Sequence, residues 1–207
     1  MARPGYSRIA LLVALNAIAW LVPQGAWRWW LGIPVAVLLL LVLNFYRDPD
    51  REVPERDGVF AVAPADGHVV AVTEHDGGLE LSIFMSALDV HVNRAPVAGT
   101  VTSRTHHAGR YLPAFLARSQ TENERETLIF ESPEVGRVSC TQVAGLLARR
   151  IENWVEPGDE LALGQRYGMI HLGSRLDLEF PTGFVALVRR GQHVKAGTTV
   201  LAERRDG

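Results

Sequence analysis

Three short segments contain the side chains best suited to covalent chemistry: Leu172-Gly173-Ser174, Asp89-Val90-His91-Val92-Asn93-Arg94-Ala95-Pro96 and Pro64-Ala65-Asp66-Gly67. They supply a hydroxyl, an imidazole that shuttles a proton near neutral pH, and a carboxylate. Gly173 lacks a Cβ, so the backbone before Ser174 is free to take unusual dihedrals and to admit a nucleophile to its carbonyl. Other nucleophiles are scarce. Lys195 is the single lysine, reads as a turn-surface residue and lacks the hairpin-tip setting of a carrier lysine. Cys140 is the single cysteine, which excludes an internal disulfide and a Cys-rich zinc site; the alternating run 138–143 reads as a strand with a buried core thiol. His106 and His107 read as exposed loop histidines with no carboxylate at ligand spacing, and His171 as strand packing, so no metal is expected. A serine hydrolase using Ser174, His91 and Asp66 is an alternative reading, but the Gly-x-Ser-x-Gly elbow is missing.

Taken together, the three segments resemble the phosphatidylserine decarboxylases, and the resemblance covers essentially the whole region after residue 58 and the Tyr46-Arg47-Asp48-Pro49 stretch. It implies a chain that cuts itself between Gly173 and Ser174 into fragments 1–173 and 174–207, which sheet packing then holds together. It further implies that Ser174 becomes a covalent pyruvoyl group, the cofactor that forms a Schiff base with phosphatidylserine and releases CO₂ and phosphatidylethanolamine. In that scheme His91 carries a proton to the α-carbon, and Asp66 orients His91 or pairs with Arg94. Asn123-Glu124-Arg125 matches a polar motif of the family that contacts substrate or shapes the pocket. One position departs: longer bacterial members carry a second histidine three residues after the first, where this chain has Arg94. Arginine cannot act as a general base, so Arg94 is assigned to substrate binding and His91 is expected to serve both cleavage and decarboxylation. The base for self-cleavage stays open, with His171 the next candidate.

These residues need elements to position them. The chain has 207 residues and a formal net charge of -2, enough for one domain with a core and giving no sign of a nucleic-acid partner. Its excess hydrophobicity lies before residue 47, in runs 9–27 and 29–46. The second run predicts a helix of about 27 Å, close to a bilayer core. Trp27, Trp29, Trp30 and Tyr46 sit near its ends, a Pro-Gln-Gly turn with only Arg28 separates the runs, and Arg3, Arg8, Arg47, Arg51 and Arg56 flank them. This predicts a transmembrane helical hairpin over 1–46 with both ends cytoplasmic; a signal-peptide core or a re-entrant first helix are the alternatives. A juxtamembrane linker is expected over 47–57 and the catalytic domain over 58–207, on the cytoplasmic face of the cell membrane.

From residue 59 the pattern is short β-type runs at 59–63, 68–73, 79–84, 99–104, 127–131, 137–143, 168–171, 175–180, 184–188 and 199–202, with one candidate helix at 108–118. The turns at 155–161 and 188–197 look like those of barrel-sandwich hybrid domains, so the expected fold is mostly β, a barrel-sandwich-hybrid-like domain behind the helical hairpin. An export-system adaptor would explain helices and β domain but not the Gly-Ser site. Membrane phosphatidylserine and the two fragments of the same chain are the expected partners; a homodimer and the lipid backbone are left open.

Overall fold

The Leu- and Ala-rich runs near the N-terminus fold into α1 (Tyr6–Leu21) and α2 (Trp27–Phe45), preceded by a 3-10 turn at Arg3–Gly5. The structure is a computed structural model describing residues 1–21, 25–146, 150–171 and 173–205. Leu172 and the Pro23-Gln24 part of the expected inter-helix turn lie outside the described residues. The chain divides into two compact units, Met1–Pro49 and Asp50–Gly207.

In the first unit the two helices form a hairpin. At one end the Trp20 and Trp29 rings meet edge to face with centroids 5.1 Å apart, and Gly32 leaves the space that the Trp20 indole fills. At the other end the Ala2 N–H donates to the Tyr46 carbonyl (2.8 Å). Pro34 sits inside α2, where it removes one backbone bond without ending the helix. The segment Arg28–Phe45 is long and apolar enough to cross a membrane, with a mean hydropathy of 1.8. Its side chains are largely exposed, Trp30 at 75% and Leu40 at 65%. Helix α1 has 16 residues, about 24 Å of rise against a core of about 30 Å.

The second unit is mostly β. Its strands are β1 (Phe60–Val62), β2 (Gly67–His75), β3 (Gly78–Met85), β4 (Val92–Arg94), β5 (Gly99–His107), β6 (Arg125–Ser132), β7 (Gly136–Val143), β8 (Ile151–Asn153), β9 (Glu160–Leu161), β10 (Arg166–Ile170), β11 (Ser174–Phe180), β12 (Phe184–Ala186), β13 (His193–Val194) and β14 (Val200–Arg204). The largest sheet, a curled half-barrel, runs β13-β2-β3-β11-β7-β6-β5-β9; smaller sheets run β1-β14-β12 and β4-β10-β8. Alternation sets the core: on β11 the side chains of Leu176 and Leu178 join Leu81, Ile83, Leu128, Phe130, Val138 and Tyr167 inside. Cys140 lies in this core, bonded to the Tyr167 hydroxyl at 3.1 Å, and burial pushes its thiol pKa up to about 12. It is the buried core thiol that the alternation implied.

Two expectations change. Residues 108–118 are not a helix; the only helix nearby is the single turn α3 (Ser119–Glu122). Pro113 interrupts the run, and the Asn123 side chain takes both backbone groups of Leu112, accepting from its N–H (2.9 Å) and donating to its carbonyl (2.8 Å). A backbone satisfied that way has no need of a helix. His106 and His107 lie on the end of β5 rather than in a loop, paired with Glu126 and Arg125. Within the segment read as a linker, Arg51 and Arg56 dock onto the β unit through Asp66 and Glu203.

Candidate active site

Strand β11 begins at Ser174 in the middle of the large sheet, flanked by β3 and β7. Ser174 pairs with Met85 across the ladder, and its side chain is fully buried. Among the described residues its Oγ has the Met85 thioether, 4.0 Å away, as a weak acceptor. Gly173 sits at φ +70°, a left-handed conformation costing other residues about 1–2 kcal/mol. Its carbonyl oxygen lies against Gly145, where any Cβ would overlap it. Gly145 is held in turn: the Ala144 carbonyl accepts from Asn123 Nδ2 (2.7 Å), and the Ala144 N–H donates to the Glu124 carbonyl (2.9 Å).

His91 is fully buried ahead of β4. Its Nδ1 is 2.8 Å from the Asp89 carbonyl oxygen. A carbonyl only accepts, so Nδ1 carries a proton, which leaves Nε2 as the nitrogen able to exchange one. The His91 carbonyl accepts from Ile170 N–H (3.3 Å) at the end of β10, just upstream of Ser174. Asn93 Nδ2 donates to the same Met85 sulfur at 3.8 Å, and Gln142 Nε2 donates to Asn93 Oδ1 at 2.8 Å. Ser174, Met85, Asn93 and Gln142 thus form one buried polar set, with His91 tied to it through the backbone of β4 and β10.

Met85, Gln142 and Gly145 were missed by the sequence reading, and Asn93 was quoted without a role. A signal existed for Gln142, which shares the inward side of β7 with Val138 and Cys140. A glutamine at an inward position needs polar partners. For Gly145 nothing local signalled the approach of Gly173.

The remaining expected residues are placed differently. Asp66 is buried, but neither His91 nor Arg94 meets its carboxylate. Arg51 clamps it with two bonds, one of them Nη2 to Oδ2 at 2.7 Å, and the Ala196 N–H donates to Oδ1 at 2.8 Å. Arg94 Nη1 donates to the Gly164 carbonyl (3.0 Å). Asn123 spends its amide on Leu112 and Ala144. Glu124 accepts from the Tyr111 hydroxyl, and Arg125 Nη1 donates to the Thr121 carbonyl (2.7 Å). His171 Nε2 is 3.3 Å from Glu152 Oε1. Beside Ser174, on the opposite side of β11, Arg175 Nε bonds Asp177 Oδ1 at 2.6 Å, while burial pushes the Asp177 carboxyl above the usual range against that pairing. For Asp89 burial also opposes the charge, yet the Ser86 hydrogen bonds and His193 hold its carboxyl below the usual range.

The Arg51–Asp66 pair is nearly buried on both sides, with side chains 10% and 7% exposed. Removing one partner strands a buried charge. Arg51→Ala is therefore expected to lower the unfolding free energy by about 3–5 kcal/mol, read from urea denaturation of the full chain. A loss below about 1 kcal/mol would place this pair in the class of surface ion pairs instead.

The chain also resembles known proteins in sequence. The profile of the family described as phosphatidylserine decarboxylase matches residues 38–202. The phosphatidylserine decarboxylase proenzyme of Solibacter usitatus is 42% identical over 201 residues, covering 97% of this chain and 95% of that protein. The proenzyme of the same description from Trichlorobacter lovleyi is 48% identical over 179 residues, covering 83% and 81%. That from Symbiobacterium thermophilum is 44% identical over 208 residues, covering 97% and 94%.

Proposed function

This chain belongs to the phosphatidylserine decarboxylase family, and we propose that it cuts itself between Gly173 and Ser174 and then decarboxylates phosphatidylserine to phosphatidylethanolamine and CO₂. The observation that carries this reading is the scissile geometry: a left-handed Gly173 whose carbonyl is pressed against Gly145, directly before a fully buried serine. The relatives are named proenzymes, in keeping with a chain that matures by cleavage. Family membership disfavours the export-adaptor reading, and a serine hydrolase would leave the chain whole.

Cleavage needs no outside reagent but water. Ser174 Oγ attacks the Gly173 carbonyl carbon while His91 Nε2 takes the hydroxyl proton. The peptide C–N bond breaks and an ester forms. Loss of the Ser174 Cα proton then expels the Gly173 carboxylate and leaves dehydroalanine, whose imine tautomer hydrolyses to a ketone and ammonia. The resulting pyruvoyl carbonyl supplies the electron sink that decarboxylation of an amino acid requires. The surroundings suit such a group: Ser174 is buried, its Oγ lies 4.0 Å from the Met85 thioether, and Asn93 donates to that sulfur while accepting from Gln142. His91 then returns a proton to the substrate α-carbon. Arg94, Asn123, Glu124 and Arg125 act mainly by holding β4 and the 108–118 and 144–145 segments in place, since local bonds engage their polar atoms.

After the cut, β11 remains between β3 and β7, β13 beside β2, and β14 beside β1, so the two fragments stay associated. In this reading residues 1–46 are the membrane anchor, 47–57 the juxtamembrane segment and 58–207 the decarboxylase domain, on the cytoplasmic face. Extracting a diacyl lipid costs about 0.8 kcal/mol per CH₂, so an anchored enzyme avoids that cost. Deleting residues 1–46 is expected to leave self-cleavage intact and to cut turnover on liposomes at least tenfold; unchanged turnover would remove the anchoring role.

Gly145 gives a sharper test of the scissile geometry. Gly145→Ala puts a methyl group where the Gly173 oxygen lies, and both groups belong to the backbone. A displacement of that kind costs on the order of a hundredfold in rate. Fragment formation, followed on a denaturing gel with circular dichroism as the folding control, is expected to slow by that factor. A wild-type rate would separate Gly145 from the cut. The overall assignment is tested by purifying the full chain and assaying phosphatidylethanolamine formation; no product would overturn it.

A further inference from the structure

A second cluster of donors lies outside the machinery above. His68 is the second residue of β2 and His193 opens β13, and the two are direct cross-strand partners, their rings meeting edge to face with centroids 4.9 Å apart. Asp89, from the connection between β3 and β4, brings Oδ1 to 3.2 Å from His193 Nε2. One donor atom from each of the three residues lies within 4.8 Å of the others. The carboxylate is fixed in advance: its other oxygen accepts from the Ser86 N–H (2.8 Å) and hydroxyl (2.7 Å). Both histidines are exposed on one side of the sheet, open to a water as an additional ligand.

The geometry points to a divalent-metal site formed by His68, Asp89 and His193. Two imidazole nitrogens and a carboxylate oxygen suit zinc and its first-row neighbours rather than calcium or magnesium. Two ligands held about 2.0–2.2 Å from zinc at a tetrahedral angle lie about 3.3–3.6 Å apart, which the His193–Asp89 distance nearly matches; the His68 ring closes the remaining gap by a rotamer adjustment. Sequence spacing hides the site, because His193 is 104 positions from Asp89 and only the β2–β13 register brings it there.

The position has two consequences. The Asp89 carbonyl is the group that holds His91 Nδ1, so an ion on the Asp89 carboxylate braces the segment that sets the His91 tautomer. If the chain is cut as proposed, His193 lies in the small fragment and His68 and Asp89 in the large one, and the ion cross-links them; this second consequence rests on the proposed function, whereas metal binding itself does not.

The test uses the full chain without an affinity tag, stripped with a chelator and titrated with zinc chloride against a chromophoric zinc indicator. The parent protein is expected to take up one ion per chain with a micromolar Kd. His68→Gln/His193→Gln should weaken that uptake at least thirtyfold and abolish the zinc-dependent rise in Tm, while His106→Gln/His107→Gln should leave both unchanged. Equal affinity in the parent and the His68→Gln/His193→Gln protein, or no uptake by the parent at tens of micromolar zinc, would overturn the site. Decarboxylase activity is a separate readout, so its failure would not be confused with failure of the metal site.

Discussion

Replacing Ser174 by alanine is expected to yield an uncut chain with no decarboxylase activity. The reason is chemical: without the hydroxyl there is no attack on the Gly173 carbonyl, no ester and no ketone at position 174. Folding should survive. Among the described residues the Ser174 hydroxyl makes a weak 4.0 Å contact with Met85, so its removal should change stability by less than about 1 kcal/mol. Ser174→Cys and Ser174→Thr keep a nucleophile and are expected to cut slowly. A denaturing gel with release of labelled CO₂ from phosphatidylserine reads both effects. Normal turnover by uncut Ser174→Ala would refute the role of Ser174.

The second large effect concerns His91. His91→Ala is expected to block both self-cleavage and decarboxylation, because Arg94 cannot take the serine proton and Asp66 is engaged by Arg51 and the Ala196 amide. Loss of a positioned general base costs about a hundredfold to ten-thousandfold. His91→Gln retains a donor for the Asp89 carbonyl while removing the base, which separates chemistry from folding. The time course of fragment formation decides. Wild-type cleavage rates in both variants, with decarboxylation lost, would restrict His91 to the second step and make His171 the next base to test.

The β architecture was legible because period-two alternation and turn residues mark long strands: each of the predicted runs from 59–63 to 199–202 overlaps an observed strand. β4, β8, β9 and β13 were not foreseen. They are two or three residues long, too short for alternation to register, and exist through their neighbours. The helix expected at 108–118 failed because Asn123, at a distance in sequence, satisfies the loop backbone. Ser174 and His91 were singled out through their motifs, and the structure buries both. The partner of Asp66 was not, because Arg51 belongs to a charged segment that looks like plain linker until folding brings it back onto the β unit. Gln142 and Gly145 depend on register between strands far apart in sequence, which no local pattern encodes.

The most direct measurement of the central claim is the intact mass of the purified, denatured protein. The account predicts two species, residues 1–173 ending in a free carboxylate and residues 174–207 beginning with a pyruvoyl group. The smaller species should be lighter by one ammonia than the same peptide with an amino-terminal serine. A single chain of 207 residues carrying full decarboxylase activity would contradict the account.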